Sequence, residues 1–190
     1  MIISPPRLIP PKNKEETIEK WIEKIMPNNA RGGFPVGYYG QWHTGLHISG
    51  LSGTSENGGI GIWAIADGIV MISQNSGDIQ PAADSEGDAN STYARRDSTG
   101  VVVLRHETEI GEGDDGKIIF YSVYHHLGII SPQAQSTGKL IHRKDLIGHC
   151  GQVAGSGGIH CEIFCTEDNL KKLSEEFMEV WILQEMAESI

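Results

Sequence analysis

The chain has 190 residues, 38% of them apolar, and a formal net charge of -10. That is enough apolar material for one sizeable core, and an acidic chain without any Lys/Arg cluster interleaved with aromatics argues against a nucleic-acid binder. No stretch approaches eighteen apolar residues, which argues against a membrane-spanning helix, and 24 glycines, above the usual share of about 7%, point to a turn-rich β architecture.

The first fourteen residues carry Pro5, Pro6, Pro10 and Pro11 and read as an extended tether. They lack a charged region followed by an apolar run of signal-peptide length, so synthesis in the cytoplasm without a signal peptide is the expectation. Ile18, Trp21, Ile22 and Ile25 recur at helical spacing. They predict a core-packing helix capped by Asn13, with Glu16 three residues on, and ended by Pro27-Asn28-Asn29. Residues 1–30 thus form a tether and helix ahead of the main domain, 31–167. Residues 31 to 41 are a glycine and aromatic loop; Phe34, Tyr38 and Tyr39, with Trp42, are placed either to line a groove or to pack over a sheet.

The run Ile60 to Ser73 predicts two buried strands joined by a hairpin at Asp67-Gly68. Residues 74–99 are polar and small, a long insertion that is either mobile or a lid, with Arg95 and Arg96 near its end. Strands resume at Val101–Arg105 and Lys117–Tyr124 around an acidic tip, Glu107 to Gly116, which lacks the ligand spacing of a calcium loop. After a polar loop, 128–139, the segment Leu140–Gly148 returns to the sheet. From Asp168 a last helix places Leu170, Leu173, Phe177, Val180, Trp181 and Met186 on one side. That C-terminal helix, 168–190, ends without a glycine cap, which suggests a chain cut from a longer protein. Cys150, Cys161 and Cys165 are odd in number and form no CxxC pair, which argues against a disulfide framework.

Chemistry concentrates in three stretches: Trp42-His43-Thr44-Gly45-Leu46-His47, Tyr124-His125-His126-Leu127 and Gly158-Ile159-His160-Cys161-Glu162. They hold five of the eight histidines. A lone histidine is usually an ordinary core or surface residue, and His106, His142 and His149 are read that way. Three clusters of one composition point instead to a metal site. Imidazole suits Zn²⁺, whose catalytic sites take three protein ligands and leave a fourth position for water. His43 and His47, four apart, share a face on a strand as on a helix, and Gly45 disfavours the helix. His160 and Glu162, two apart on a strand, also share a face, whereas His125 and His126, as neighbours, are expected to point to opposite faces. Cys161 is expected to face away from His160.

These stretches, in order with Ala64-Ile65-Ala66-Asp67-Gly68-Ile69-Val70 and Leu146-Ile147-Gly148, resemble the lysostaphin-like zinc endopeptidases over roughly residues 40 to 165. The resemblance implies a mainly β core, an antiparallel sheet or sandwich-like domain, which with the N-terminal and C-terminal flanking helices read above makes a mainly β (α+β) fold. It also implies one zinc ion and cleavage of peptide bonds in bacterial cell-wall cross-links. His43 matches the family's first zinc ligand, His47 stands where the family has Asp, and His126 matches the histidine of Tyr-x-His-Leu that assists catalysis. The family's last motif, His-x-His-Phe-Glu-Ile, keeps one histidine here, so two registers stay open. In one, His160 is the third ligand beside His43 and His47, Gly158 replaces a catalytic histidine, and Glu162 is a general base or the partner that sets the His160 tautomer. In the other, Glu162 is itself the ligand. A salt bridge at a strand end is the structural alternative for Glu162.

The expected activity is that of a zinc-dependent peptidoglycan hydrolase, endopeptidase or amidase, with peptidoglycan as substrate and neither nucleic acid nor membrane as partner. Without a signal peptide, it is expected to be made in the cytoplasm and to act in the periplasm or cell wall, most readily of a target cell. Phe120 to Leu127 with Ile141-His142-Arg143-Lys144-Asp145 resembles lysostaphin-like domains of toxins delivered by type VI secretion, which implies an immunity protein as a further partner. The departures at His47 and Gly158 motivate an alternative, a degenerate domain that binds cell wall or activates a partner hydrolase. A sugar-binding sandwich with incidental histidines is a third reading and predicts no metal.

Overall fold

Period-two apolar patterning makes this a sheet protein. The computed structural model describes residues 3–7, 13–25, 35–36, 42–49, 60–77, 98–110, 113, 116–153 and 156–174. Eight strands follow in chain order: β1 (Leu46–Ser49), β2 (Gly61–Trp63), β3 (Gly68–Gln74), β4 (Gly100–Glu109), β5 (Lys117–Ile130), β6 (Leu140–Ile141), β7 (Leu146–Val153) and β8 (Ser156–Cys165). They form one antiparallel sheet in the order β1-β8-β7-β5-β4-β3-β6, with β2 paired to β7 and β8 paired also to β5. The expected mainly β, antiparallel architecture is present, and β4 and β5 form the expected hairpin around the acidic tip, closed by Ile110 N–H donating to Gly116 O at 2.9 Å.

Strand β5 is the axis of the sheet. From Ile118 to Tyr124 its even-numbered residues are buried and its odd-numbered ones half-buried, so one face packs inward and the other stays accessible. The inward face meets Val102 and Leu104 of β4, Ile159 and Cys161 of β8, and the crossing segment Ile62–Ala66 in one core. Tyr124 is fully buried there, and its hydroxyl accepts the Ile65 N–H at 2.9 Å. An apolar environment of this kind tolerates a polar atom only when it is hydrogen-bonded. His106 obeys the same rule: it is buried and stacked on Phe120, with one ring nitrogen 2.7 Å from the Asp67 carbonyl and the other 2.7 Å from Ser122 Oγ.

Further along, β5 bridges a fork. Its residues 120–125 pair with β8 and its residues 127–130 with β7, while β7 and β8 pair with each other only between Gly151–Val153 and Ser156–Gly158. At the fork the ladder to β4 steps from Val101↔His125 to Gly100↔Leu127 and leaves His126 out. His126 has φ +64°, in the left-handed region that non-glycine residues rarely enter. It is the extra residue of a β-bulge.

Three expectations need correction. The hairpin at Asp67-Gly68 does not form, because β2 pairs with β7 while β3 pairs with β4 and β6. The backbone between them is taken by other partners: Ser4 N–H donates to Ile65 O, Ala64 N–H to Asp145 O and Lys144 N–H to Ala64 O. Helix α1 runs over Ile18–Ile25 and is entered from Thr17, whose Oγ1 accepts the Lys20 N–H, whereas Asn13 closes a turn on Glu15 and Glu16. The helical stripe starts outside the core, since Ile18 is 60% exposed. The C-terminal helix is helical over residues 167–174, capped by Thr166, and Leu173 packs against the core. Its continuation with Phe177, Val180, Trp181 and Met186 lies outside the described residues, as do Phe34, Tyr38, Tyr39, Arg95 and Arg96. Of the 74–99 insertion, both ends are described and fastened together: Gly77 N–H donates to Thr99 Oγ1 and Thr99 N–H to Ser76 Oγ.

A candidate metal centre of histidines

Directly opposed residues of an antiparallel pair share a face. His47 on β1 lies opposite His160 on β8, and His160 lies opposite His125 on β5, so one cross-strand row carries three imidazoles. His43 reaches the same place from the extended segment before β1, where its N–H donates to Pro35 O at 2.9 Å and the adjacent Trp42 bridges to Val36. The rings crowd edge to face: centroids are 4.8 Å apart for His43–His47, 4.8 Å for His43–His160 and 5.3 Å for His47–His160. One ring nitrogen from each of the three lies within 4.8 Å of the others, a spacing that one cation can bridge.

Two further observations fit a cation at this point. Both ring nitrogens of His43 are sealed from solvent and have no hydrogen-bond partner among the described residues. Buried polar atoms are normally satisfied, so an orphaned imidazole wedged between two others is an open ligand position. Burial holds the His160 imidazole below the ordinary histidine range, and His43 and His126 push the same way, against Glu162, whose hydrogen bond and charge raise it. The neutral ring, the form that ligates, is therefore favoured. Gly45 makes the approach possible. A Cβ there would stand 2.5 Å from Cys161 O, 2.7 Å from His160 Nε2 and 3.0 Å from His160 Cε1.

Glu162 shares the face of His160, with its Oε2 3.5 Å from His160 Nε2. The clustered ligand atoms come from His43, His47 and His160, with Glu162 beside them. Gly158, where the resemblance has a catalytic histidine, sits between Ser49 of β1 and Gly151 of β7 and offers no side chain. His126 reaches the cluster from the bulge, its ring centroid 5.7 Å from that of His47. Its Nδ1 lies 2.9 Å from Ser98 O. A carbonyl only accepts, so Nδ1 carries the proton and Nε2 of the neutral ring is left with a lone pair.

The expectation that His125 faces away from His126 is overturned. The bulge breaks the alternation, two half-buried residues follow each other, and the rings stack with centroids 4.1 Å apart and planes 25° from parallel. His125 is also 6.5 Å from His160. Five histidines therefore meet here, and the alternation rule misses the fifth because a bulge carries no fixed sequence mark outside glycine. Of the remaining histidines, His106 is in the core and His142 is exposed near Asp67, while His149 Nδ1 is buried without a hydrogen-bond partner among the described residues. Cys161, on the inward face, is no nucleophile: burial, then the Glu162 charge, push its thiol up to about 12. None of the three cysteines forms a disulfide.

No family profile and no curated protein matches the chain. Among solved structures it is similar to a zinc containing peptidase from Vibrio cholerae, at 15% identity and a TM-score of 0.40, over 73% of this chain and 32% of that one. It is also similar to Helicobacter pylori Csd3, at 12% identity and a TM-score of 0.38, over 86% of this chain and 41% of that one. The chain thus spans between about a third and two fifths of the length of these structures. At this distance the likenesses carry no functional weight.

Proposed function

We propose that this protein is a zinc-dependent hydrolase that cleaves peptide or amide bonds of bacterial peptidoglycan. The observation that carries the reading is the His43 imidazole, which has no hydrogen-bond partner among the described residues, inside a three-histidine cluster. The lysostaphin-like order of motifs in the sequence supplies the substrate class. His43, His47 and His160 would hold the metal. When bound, zinc lowers the pKa of a water toward neutrality and polarises a carbonyl.

The chain's own groups would do the rest. The Glu162 carboxylate, beside His160, would accept the proton of the attacking water and then hand it to the leaving amine. His126 Nε2, with its lone pair set by the bond to Ser98, orients that water by accepting a hydrogen bond from it; a ring that enters with a second proton from solvent would instead donate to the developing oxyanion. Trp42, 74% exposed and next to His43 in the chain, offers a flat apolar surface that a substrate could lie against.

In its wider setting we propose a lytic or antibacterial effector domain that acts on the wall of a target cell, with an immunity protein guarding the producer. The test is metal content together with release of fragments from purified peptidoglycan. About one zinc per chain is expected, with release abolished and zinc kept in His126→Ala and Glu162→Ala, and zinc lost in His43→Ala. Zinc without release from any wall preparation would favour a degenerate domain that binds wall or activates a partner, and a chain that takes up no zinc would end the metal reading.

A further inference from the structure

The bulge of β5 does more than deliver His126 to the cluster. Four features meet behind that residue. Its φ of +64° is one a non-glycine residue holds only when its surroundings impose it. His125 lies flat against it, 4.1 Å between ring centroids. Ser98 O receives its Nδ1–H at 2.9 Å. Ser98 is itself pinned to β7 on both sides, its N–H donating to Gln152 O at 3.0 Å and its Oγ accepting the Gln152 N–H at 3.1 Å. That docking depends on Gly151: a Cβ there would fall on the Ser98 side chain and stand 2.6 Å from the His126 carbonyl oxygen.

We infer that His125 and the Ser98–Gly151 contact are positioning elements that act through His126, one clamping its ring plane and the other its tautomer, so that Nε2 faces the His43, His47, His160 cluster. The inference rests on the hydrolase reading for its kinetic consequence but not for its structural one. A regular strand through residues 124–127 would send His125 and His126 to opposite faces; the bulge places both rings on one, and the stack keeps the strained residue from relaxing. A carbonyl behind Nδ1 does what carboxylates and carbonyls do behind metal-site histidines, choosing which nitrogen carries the lone pair. Neither His125 nor Ser98 needs to touch substrate.

Three variants test this in the zinc-loaded full chain: His125→Phe, which keeps a flat ring and removes both nitrogens, His125→Ala, which removes the ring, and Gly151→Ala, which displaces Ser98. His125→Ala is expected to lower kcat on peptidoglycan by about 10–100-fold, the usual cost of losing an outer partner of a metal-site histidine, with zinc stoichiometry and KM unchanged. His125→Phe is expected to restore most of that loss. In parallel, ¹⁵N-resolved NMR of the His126 ring in the zinc-free chain should show a protonated Nδ1 and a bare Nε2 in the unaltered protein, and a mixture of tautomers in Gly151→Ala. A His125→Phe variant as impaired as His125→Ala, or an unaltered His126 protonated at Nε2, would overturn the inference. Absence of peptidoglycan turnover in the unaltered protein would instead sink the hydrolase reading, and the tautomer measurement would still decide this one.

Discussion

A stabilising substitution that destroys the site is the most informative perturbation. Neutral imidazole carries one donor and one acceptor, and both nitrogens of His43 are buried without a hydrogen-bond partner among the described residues. A buried, unsatisfied polar group costs about 1–3 kcal/mol. Phenylalanine has a similar outline and keeps the edge-to-face contacts that the ring makes with His47 and His160, each at a centroid distance of 4.8 Å. In metal-free protein, His43→Phe should therefore raise stability by about 1–3 kcal/mol, which for a chain of 190 residues is a melting temperature higher by roughly 2–12 °C. Zinc closes or reverses the gap. At a hundredfold excess over its dissociation constant, a ligand that binds only the native state adds about 2.7 kcal/mol; the unaltered chain gains it, and the variant, short of one ligand, does not. Thermal unfolding followed by circular dichroism, in chelator and then in zinc, reads both halves. A variant that is less stable in chelator and still rises with zinc would refute the idea that His43 is kept at a cost in stability for the sake of a metal.

Two further outcomes follow from single positions. Gly45→Ala places a methyl group 2.5 Å from a backbone oxygen of β8 and 2.7 Å from His160 Nε2, so β1 and β8 must part at the row that carries His47 and His160. Overpacking of this kind costs about 1–3 kcal/mol, and zinc affinity should fall with stability; a competition titration against a chromophoric chelator showing unchanged affinity would contradict the assigned geometry. Acid should weaken the fold through His106, whose pKa burial lowers. A depressed folded pKa means that the unfolded chain binds the extra proton first, so this stability is fully present above the unfolded value of about 6.5 and is lost as pH falls toward the folded one. His160 is shifted in the same direction. Urea midpoints measured in chelator at neutral and mildly acid pH should drop with acid, and His106→Asn, which supplies both a donor and an acceptor, should flatten the slope; an equal slope in the variant would place the effect elsewhere.

Much of this protein is legible before folding. Alternation of apolar residues announces a sheet, and it places His160 beside Glu162 because that relation needs only a strand's period of two. Glycine at position 45 and the histidines on either side of it suggest an extended ligand segment for the same local reason. What lies between segments was not legible. The Asp67-Gly68 pair looks like a hairpin in isolation, yet β2 and β3 take different neighbours because hydrogen bonds from Ser4 and Lys144, and one to the Asp145 carbonyl, occupy the intervening backbone. Likewise, which face His125 occupies depends on a bulge imposed where β5 leaves β8 for β7, and a register step between three strands has no signature in the sequence of one. The sequence by itself determined the strands and the stock of ligand-type residues, since those depend on local period and chemistry. Only the tertiary structure decided that five of the histidines meet and that both ring nitrogens of His43 lie buried without a hydrogen-bond partner among the described residues, because register and burial are properties of the assembled sheet.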